Sequence, residues 1–323
     1  MDGKRGQIKP ILVKERGHAI PYSKGLMANT IMTSGLSPAR AYHVAQVIED
    51  KLRERKRAAV ESAELRRLTI EAIRDEAGDR YAGAYEKWTT ASAVDMPLVI
   101  LIGGGTGVGK STVATQLAAR LGIVRMVSTD AIREVMKGVL ARDFMPTMYR
   151  SSFDTADVVQ QKSARPDDAV LVGFRDQVSA VSVGVTALIE RSINEGTDVI
   201  IEGAHIAPGF MNLDQFKRNA VIVPLVIQVE DENLHRSHFS MRGIESRARP
   251  VERYLAHFDN IRKIQKYIKS LALQHGVPII SNYSLDACVA SVIELVVDRA
   301  VEAAKGRPAR HQRRVRVIRG GSH

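Results

Sequence analysis

From residue 97 onward the sequence predicts an α/β protein, with a parallel β-sheet covered by helices on both faces. Short uninterrupted apolar runs, at residues 98–102 and 199–201 among others, are typical of strands buried on both faces. Helical stretches separate these runs, and such alternation joins parallel strands by right-handed crossovers. A chain of 323 residues also has room for a second unit, which we expect before residue 97.

The chain divides into four predicted segments. Residues 1–53 form a small, mostly helical unit, in which two short strands precede two helices with Ser23 and Ser37 as N-caps. Residues 54–96 are charged, with sparse apolar positions, and predict a helical linker. Residues 97–304 form the main domain, and the basic residues 305–323 are expected to be a disordered tail. In the main domain, strands are predicted at residues 98–102, 124–127, 199–201, 220–229 and 277–280, and helices at 110–121, 130–140, 167–194, 232–242, 250–274 and 285–304.

Composition and charge exclude several classes of protein. The longest apolar runs are far shorter than the roughly 20 residues that span a bilayer, so we expect no membrane segment. The N-terminus leads into no signal-peptide core, and the one cysteine, Cys288, allows no disulfide within the chain, so we expect a cytoplasmic protein. The net charge is +11, but the tail holds seven basic residues and no acid, which leaves +4 for the other 304 residues. Nucleic acid is therefore not the expected partner.

A glycine-rich loop follows the first strand of the main domain. Residues 104–111, GGTGVGKS, fit the Walker A pattern G-x-x-x-x-G-K-[ST] between a buried strand and a helix. Glycines let successive backbone N–H groups turn inward around phosphates, and the helix N-terminus attracts the same anion. Lys110 is placed to reach the β- and γ-phosphates, and the Ser111 hydroxyl to bind Mg²⁺. The predicted nucleotide-binding residues are Gly104, Gly105, Thr106, Gly107, Val108, Gly109, Lys110, Ser111 and Thr112.

Acidic residues follow the next two strands of the predicted sheet. Asp130 comes at a strand end, in the crevice where such sheets bind ligands, and its carboxylate could orient and deprotonate an acceptor hydroxyl. The alternative is that Asp130 caps the next helix, a role that could coexist with the first. Arg133, one turn further on, could hold an anionic substrate. Glu202 ends the next strand and could bind Mg²⁺ or order the acceptor, or simply balance nearby cations; His205 could contact substrate or have a structural role.

Arginines cluster further along the chain, around residues 236–253. Phosphoryl transfer needs cations over the transferring group, and a closing lid that carries arginines supplies them. We therefore predict that Arg236 and Arg242 take part in catalysis, against the alternative that they are ordinary solvated charges. The nearby pair His235-x-x-His238 does not predict a metal site, because no further ligand pattern supports one.

Several stretches of the sequence resemble the archaeal-type 2-phosphoglycerate kinase family. They are GGGTGVGKSTVATQLAARLGI, VSTDAIREVM, TDVIIEGAHIAPGF, HRSHFSMRG and RYLAHFDNIRKIQKYI. The resemblance implies a P-loop kinase fold, ATP and Mg²⁺ as cofactors, and a small phosphorylated acid as substrate. It places the acceptor near Asp130 and Arg133 and in the segment Tyr149, Arg150, Ser151 and Ser152.

The N-terminal segment is similar to an ATP-cone, a small regulatory nucleotide-binding module. The matching stretch is ILVKERGHAIPYSKGLMANTIMTSGLSPARAYHVAQVI. This similarity implies ATP or dATP as an allosteric ligand, for which Lys14, Arg16 and Lys24 are the evident phosphate-binding cations.

Three functions remain open from the sequence. The first is transfer of phosphate from ATP to the 3-hydroxyl of 2-phosphoglycerate, giving 2,3-bisphosphoglycerate and ADP, or to another small acidic or phosphorylated hydroxy metabolite. The second is a nucleic-acid-linked ATPase, which the basic tail favours and the nearly balanced body does not. The third is an ATP sensor without catalysis, which the intact Walker A loop disfavours. A homo-oligomer is compatible with the sequence, which does not determine it.

Overall fold

The computed structural model describes residues 10–15, 18–55, 58–91, 96–159, 166–245 and 251–305. Apart from Lys305, the predicted basic tail lies outside these residues, as do Arg16, Arg247 and Arg249. The strands are β1 (Leu12–Glu15), β2 (His18–Pro21), β3 (Ala59–Glu61), β4 (Leu98–Gly103), β5 (Met126–Ser128), β6 (Val199–Glu202), β7 (Val221–Gln228) and β8 (Ile279–Ser281). The α-helices are α1 (Lys24–Met32), α2 (Pro38–Glu54), α3 (Ser62–Ala77), α4 (Asp79–Ala91), α5 (Lys110–Leu121), α6 (Thr129–Lys137), α7 (Pro166–Glu195), α8 (Glu232–Glu245), α9 (Val251–Ala256), α10 (Phe258–Gln274) and α11 (Leu285–Ala304).

Five parallel strands form the main sheet, in the order β5-β6-β4-β7-β8. The prediction of a parallel sheet with helices on both faces is confirmed. Successive side chains of a strand point to opposite faces. In β4, accordingly, Leu98, Ile100 and Ile102 pack against α5 and α11, whereas Val99 and Leu101 face the side covered by α6 and α7. The predicted helix at residues 250–274 is two helices, α9 and α10, separated at His257.

A three-stranded sheet and four helices form the N-terminal unit. Strand β1 pairs antiparallel with β2 and parallel with β3, and one apolar core runs from Ile11 to Tyr85. As expected, the Ser23 side chain caps α1, where its Oγ accepts from the Leu26 N–H at 3.4 Å. The expected linker at residues 54–96 instead contributes β3, α3 and α4 to this core. The linker expectation was wrong because β3 pairs with β1, a strand more than forty residues earlier in the chain, and local sequence does not indicate this pairing.

Helix α4 connects the N-terminal unit to the main domain along α11. Arg80 forms an ion pair with Glu294 at 3.0 Å, and Lys87 forms one with Asp298 at 3.5 Å. Both pairs are solvent-exposed, and pairs of this kind contribute under about 1 kcal/mol each. Among the described residues, no helix combines the length and the hydropathy of a membrane span.

Candidate active site

The phosphate loop lies between the central strand β4 and the N-terminus of α5. Its backbone has positive φ at Gly107 (87°) and Gly109 (88°), a conformation that side chains other than glycine rarely adopt. Space requires glycine there as well. A Cβ on Gly107 would lie 2.3 Å from Phe239 Cζ, and one on Gly109 would lie 2.4 Å from Asn282 Nδ2. The loop is therefore shaped by contacts from α8 and from the segment after β8.

Lys110 and Ser111, the two functional side chains of the loop, are held by short polar contacts. Lys110 is buried, and its Nζ donates to the Gly105 carbonyl oxygen at 2.8 Å, so the ammonium group folds back over the loop. The Ser111 hydroxyl donates to Glu202 Oε1 at 2.9 Å. The parallel register of β4 and β6 sets Glu202 beside Ile102, at the same edge of the sheet as the loop.

The pair Ser111 and Glu202 fits a Mg²⁺ ion that is shared with a nucleotide. Mg²⁺ prefers oxygen ligands, and it binds through one or two carboxylates together with substrate phosphates rather than in all-protein cages. Glu202 is almost fully buried, and a buried carboxylate needs a cation or hydrogen bonds to compensate it. Within the described residues no group of three His, Cys, Asp or Glu side chains could hold a metal.

A cavity of about 250 Å³ opens beside the phosphate loop. We call it the acceptor cavity. Its lining includes Lys110, Ser111 and Glu202 together with a second set, which we call the acceptor wall: Asp130, Arg133, Ser151, Ser152, Arg253 and Tyr254. This volume suits a small metabolite, and the wall offers hydroxyl groups, two guanidinium groups and a carboxylate.

Asp130 projects into this cavity from the first turn of α6. Its side chain is 64% exposed, and its Oδ1 lies 3.7 Å from Arg133 Nη2. The helix is capped by Ser128 instead, whose Oγ accepts from the Ala131 N–H at 3.1 Å. The Asp130 carboxylate is therefore available to a ligand.

Arg133 and Arg253 enter the cavity from different helices. Arg133 of α6 donates from Nη1 to the Arg150 carbonyl oxygen at 2.6 Å. Arg253 of α9 donates from Nη2 to Ser151 Oγ at 3.1 Å and to Asp154 Oδ2 at 3.3 Å. Arg253 belongs to the arginine cluster predicted around residues 236–253, but no feature of the sequence distinguishes it from the other arginines there.

Three predicted substrate residues make their contacts outside the cavity. The Tyr149 hydroxyl lies 2.9 Å from the Lys137 carbonyl oxygen and 2.8 Å from that of Leu140. The Arg150 guanidinium pairs with Asp157. His205 has no exposed area and does not line the cavity. Of the predicted segment 149–152, only the two serines face the acceptor cavity.

The two arginines predicted to form a lid lie on α8. Arg236 is exposed, and its guanidinium carbon lies 3.8 Å from the centre of the Phe258 ring, as in a cation–π contact. Arg242 lies near the C-terminus of the helix, and its side chain is outside the described residues. In the described conformation Arg236 is thus held away from the acceptor cavity.

Two histidines of α8 bind the backbone of the phosphate loop. His235 Nδ1 faces the Arg262 guanidinium at 3.4 Å and must accept, so Nε2 carries the hydrogen and donates to the Thr106 carbonyl oxygen at 2.8 Å. His238 Nδ1 lies 3.0 Å from the Gly107 carbonyl oxygen. Burial lowers the pKa of His235 to about 4, so the ring is neutral at pH 7. These contacts give the H-x-x-H pair a structural role that the sequence did not reveal.

The protein has the fold and site of a P-loop phosphotransferase. A glycine-rich phosphate loop follows the central strand of its parallel sheet, and acid and arginine side chains line the cleft beside that loop. No family model matches the chain. By similarity to known proteins, however, the chain belongs to the 2-phosphoglycerate kinase family, and the resemblance seen in the sequence is confirmed. As a kinase of this family it uses ATP.

The relatives match nearly the whole chain. The 2-phosphoglycerate kinase of Methanothermobacter thermautotrophicus is 38% identical over 294 residues, which cover 91% of this chain and 95% of the relative. That of Pyrococcus horikoshii is 34% identical over 299 residues, covering 92% and 97%. Solved structures include a shikimate kinase from Acinetobacter baumannii, with a TM-score of 0.38 and 16% identity over 64% of this chain and 97% of that one. A gluconokinase from Sinorhizobium meliloti has a TM-score of 0.35 and 12% identity over 65% and 94%.

Proposed function

We propose that this kinase transfers the γ-phosphoryl group of ATP to the 3-hydroxyl of 2-phosphoglycerate, giving 2,3-bisphosphoglycerate and ADP. The observation that carries the proposal is the acceptor cavity, whose lining brings Arg133, Arg253 and Asp130 together beside the phosphate loop. In a substrate with a phosphate, a carboxylate and a hydroxyl, each anionic group can pair with one guanidinium group, and the hydroxyl can contact the Asp130 carboxylate. The relatives are named for the same acceptor.

On the nucleotide side, residues 104–112 hold the phosphates of ATP through backbone N–H groups and the N-terminus of α5. Lys110 moves from the Gly105 carbonyl oxygen to the β- and γ-phosphates, where its charge stabilises the transfer. Ser111 and Glu202 would hold Mg²⁺, which would neutralise the charge that develops on the phosphate oxygens.

On the acceptor side, Asp130 orients the 3-hydroxyl and accepts its proton. Arg133, Arg253 and the hydroxyls of Ser151 and Ser152 bind the anionic groups of the substrate. Both guanidinium groups already pair with acids, Arg133 with Asp130 and Arg253 with Asp154, and a bound anion competes for those contacts.

A substrate panel tests this proposal. Purified protein with ATP and Mg²⁺ is offered 2-phosphoglycerate, 3-phosphoglycerate, glycerate and glycerol 2-phosphate, and the products are identified by ³¹P NMR. We expect 2,3-bisphosphoglycerate from 2-phosphoglycerate and at least tenfold lower kcat/KM for compounds that lack either anionic group, because a charged hydrogen bond contributes about 1.5–3 kcal/mol. Preference for another acceptor, or ATP hydrolysis stimulated by nucleic acid alone, would contradict the proposal.

We also propose that the N-terminal unit, described over residues 10–91, acts as the ATP-cone-like regulatory module expected for residues 1–53 and binds ATP or dATP. Lys14 is exposed on β1, where it is available to a phosphate, whereas Lys24 is paired with Glu49 at 3.2 Å. Titration of the full chain with a non-hydrolysable ATP analogue distinguishes two sites per chain from one. A stoichiometry of one, unchanged in the Lys14→Ala variant, would leave the unit with a packing role only.

We propose a cytoplasmic location for the reaction. Cys288 is buried, and burial raises the pKa of its thiol to about 11, so it remains an unreactive thiol. A homo-oligomer stays an expectation, which light scattering of the purified chain checks.

A further inference from the structure

Three buried polar side chains lie behind the wall of the acceptor cavity without lining it. Thr129, Gln177 and His205 each have no exposed area, and none of them is assigned a contact with substrate, nucleotide or metal. Burial of polar groups is costly unless hydrogen bonds compensate it. Thr129 and Gln177 both contact His205, so this buried polar cluster requires an explanation.

Hydrogen bonds join the three side chains in one direction. The Gln177 amide nitrogen donates to two backbone carbonyl oxygens, so its Oε1 is the acceptor that faces His205 Nε2 at 3.3 Å. Nε2 therefore carries the hydrogen, and Nδ1 accepts from the Thr129 hydroxyl at 2.9 Å. Burial lowers the pKa of His205 to about 4, although the nearby Asp130 carboxylate raises it, so the ring is neutral at pH 7 and its tautomer is set by these hydrogen bonds.

One end of the network holds the segment that supplies the cavity serines. We call residues 147–152 the acceptor loop. The Gln177 amide nitrogen donates to two carbonyl oxygens of this loop, that of Thr147 and, at 3.0 Å, that of Arg150. Arg133 donates to the same Arg150 carbonyl oxygen at 2.6 Å. The position of the acceptor loop and the direction of the Arg133 side chain thus depend on one shared acceptor, the Arg150 carbonyl oxygen. Ser151 and Ser152 are the next two residues in the chain.

The other end of the network holds the two strand ends that carry the acids. Thr129 lies between Ser128 and Asp130 at the end of β5. A Cβ on Gly203, the residue after Glu202, would lie 1.8 Å from Thr129 Oγ1, so the end of β6 is in close contact with Thr129. His205 follows two residues later on the same turn. The network therefore connects the acidic end of the sheet to the acceptor loop.

We infer that His205 and Gln177 are positioning residues, which fix the acceptor loop and Arg133 relative to Asp130 and so determine affinity for the anionic acceptor. This inference rests on the proposed function and deepens it. It also changes the role expected of His205 from the sequence: the ring acts through Thr129 and Gln177 rather than by touching substrate. A network with every partner satisfied has one preferred geometry, which is what a small charged acceptor requires.

Steady-state kinetics with ATP and 2-phosphoglycerate varied separately test the inference. In Gln177→Met the amide donor is lost at similar volume, and in His205→Asn the amide retains the Thr129 partner but loses the link to Gln177. We expect the acceptor KM to rise about tenfold in both, the effect of one lost buried hydrogen bond of about 1.4 kcal/mol, with the ATP KM within twofold of the parent. His205→Gln places an amide nitrogen near the Nε2 position, and it should return the acceptor KM to within about threefold.

Ser182→Ala is the matched control. Like Gln177, Ser182 is a buried polar residue of α7. Its hydroxyl donates to the Ser179 carbonyl oxygen at 2.8 Å, one turn earlier in the same helix. Thermal unfolding measures the folded fraction of every variant. A loss of folded protein lowers the apparent kcat and leaves both KM values unchanged.

The outcomes separate the two proposals. A rise in acceptor KM with rescue by His205→Gln supports the positioning role. Equal rises in both KM values, or a lower kcat with unchanged KM values, would overturn it in a parent that is active on 2-phosphoglycerate. A parent inactive on 2-phosphoglycerate contradicts the proposed function instead, and the same kinetics on the acceptor that it does use then test the network.

Discussion

Replacement of Asp130 by asparagine separates catalysis from helix capping. The substitution keeps the size of the side chain and removes its charge and its ability to accept a proton. Because Ser128 already caps α6, the asparagine gains no capping role that could mask the change. If Asp130 accepts the proton of the acceptor hydroxyl, kcat should fall about 10²- to 10⁴-fold, with the ATP KM within about twofold.

The size of this effect distinguishes it from a loss of stability. A fall of 10²- to 10⁴-fold corresponds to about 2.7–5.5 kcal/mol of transition-state free energy. The contact of Asp130 with Arg133 is an exposed ion pair at 3.7 Å, and such pairs contribute under about 1 kcal/mol to folding. Loss of the ion pair therefore cannot account for the expected fall in kcat.

Glu134→Gln provides the matched control for Asp130→Asn. Glu134 lies on the same helix, is similarly exposed at 56%, and pairs with the same Arg133 Nη2 at 3.5 Å, but does not line the acceptor cavity. Its kcat should stay within about twofold of the parent. The assay is coupled ADP release under saturating ATP and acceptor, with urea unfolding of both variants. A kcat for Asp130→Asn within about threefold of the parent would refute the general-base assignment.

Three further predictions concern the phosphate loop, the acceptor wall and the buried histidines. Lys110→Ala should slow transfer by about 10³-fold in a protein that still folds, measured by single-turnover kinetics; near-normal turnover would contradict the loop assignment. Arg253→Met should raise the KM for 2-phosphoglycerate about tenfold or more without changing the ATP KM, and an equal effect on glycerol and 2-phosphoglycerate would count against it. His205 and His235 have folded pKa values of about 4, below the unfolded value of about 6.5, so the unfolded chain binds more protons as the pH falls. Between pH 7 and pH 5 the free energy of unfolding should therefore decrease by about 2 kcal/mol for each histidine. Urea unfolding midpoints at the two pH values check this prediction. The loss of stability at pH 5 should be smaller in His235→Asn, and equal stability of the parent at both pH values would contradict the prediction.

The main domain was predictable because its signals are local. Buried parallel strands such as β4 appear as continuous apolar runs, and the phosphate loop carries its chemistry in eight consecutive residues. The N-terminal unit was less predictable. Strand β3 has only three residues and pairs in parallel with β1 across α1 and α2, so nothing in its own sequence indicates the partner. For that reason the segment 54–96 was expected to be a linker.

The acceptor side shows how far sequence reasoning reaches within a site. The sequence indicated the segment around Tyr149 as acceptor-binding, but not which side chains of that segment face the cavity. A short 3₁₀ turn at residues 146–149 sends the Tyr149 hydroxyl toward α6, so that only Ser151 and Ser152 line the cavity. Arg253 reaches the cavity because α9 folds back beside Ser151, a contact between residues about one hundred positions apart. Such directions depend on packing, which residue types alone do not encode.

Helix α8 touches both halves of the active site, and this limits how a lid can close. His235 and His238 bind the phosphate loop, and Phe239 stacks on Tyr254, a residue of the acceptor wall, with ring centres 5.0 Å apart. The first two turns of α8 are therefore anchored on one side to the nucleotide loop and on the other to the acceptor wall. A closure that moved these turns toward the cleft would break the contacts of His235 and His238 with the phosphate loop. We therefore expect Arg236, which lies within the anchored turns, to keep its contact with the Phe258 ring when substrates bind.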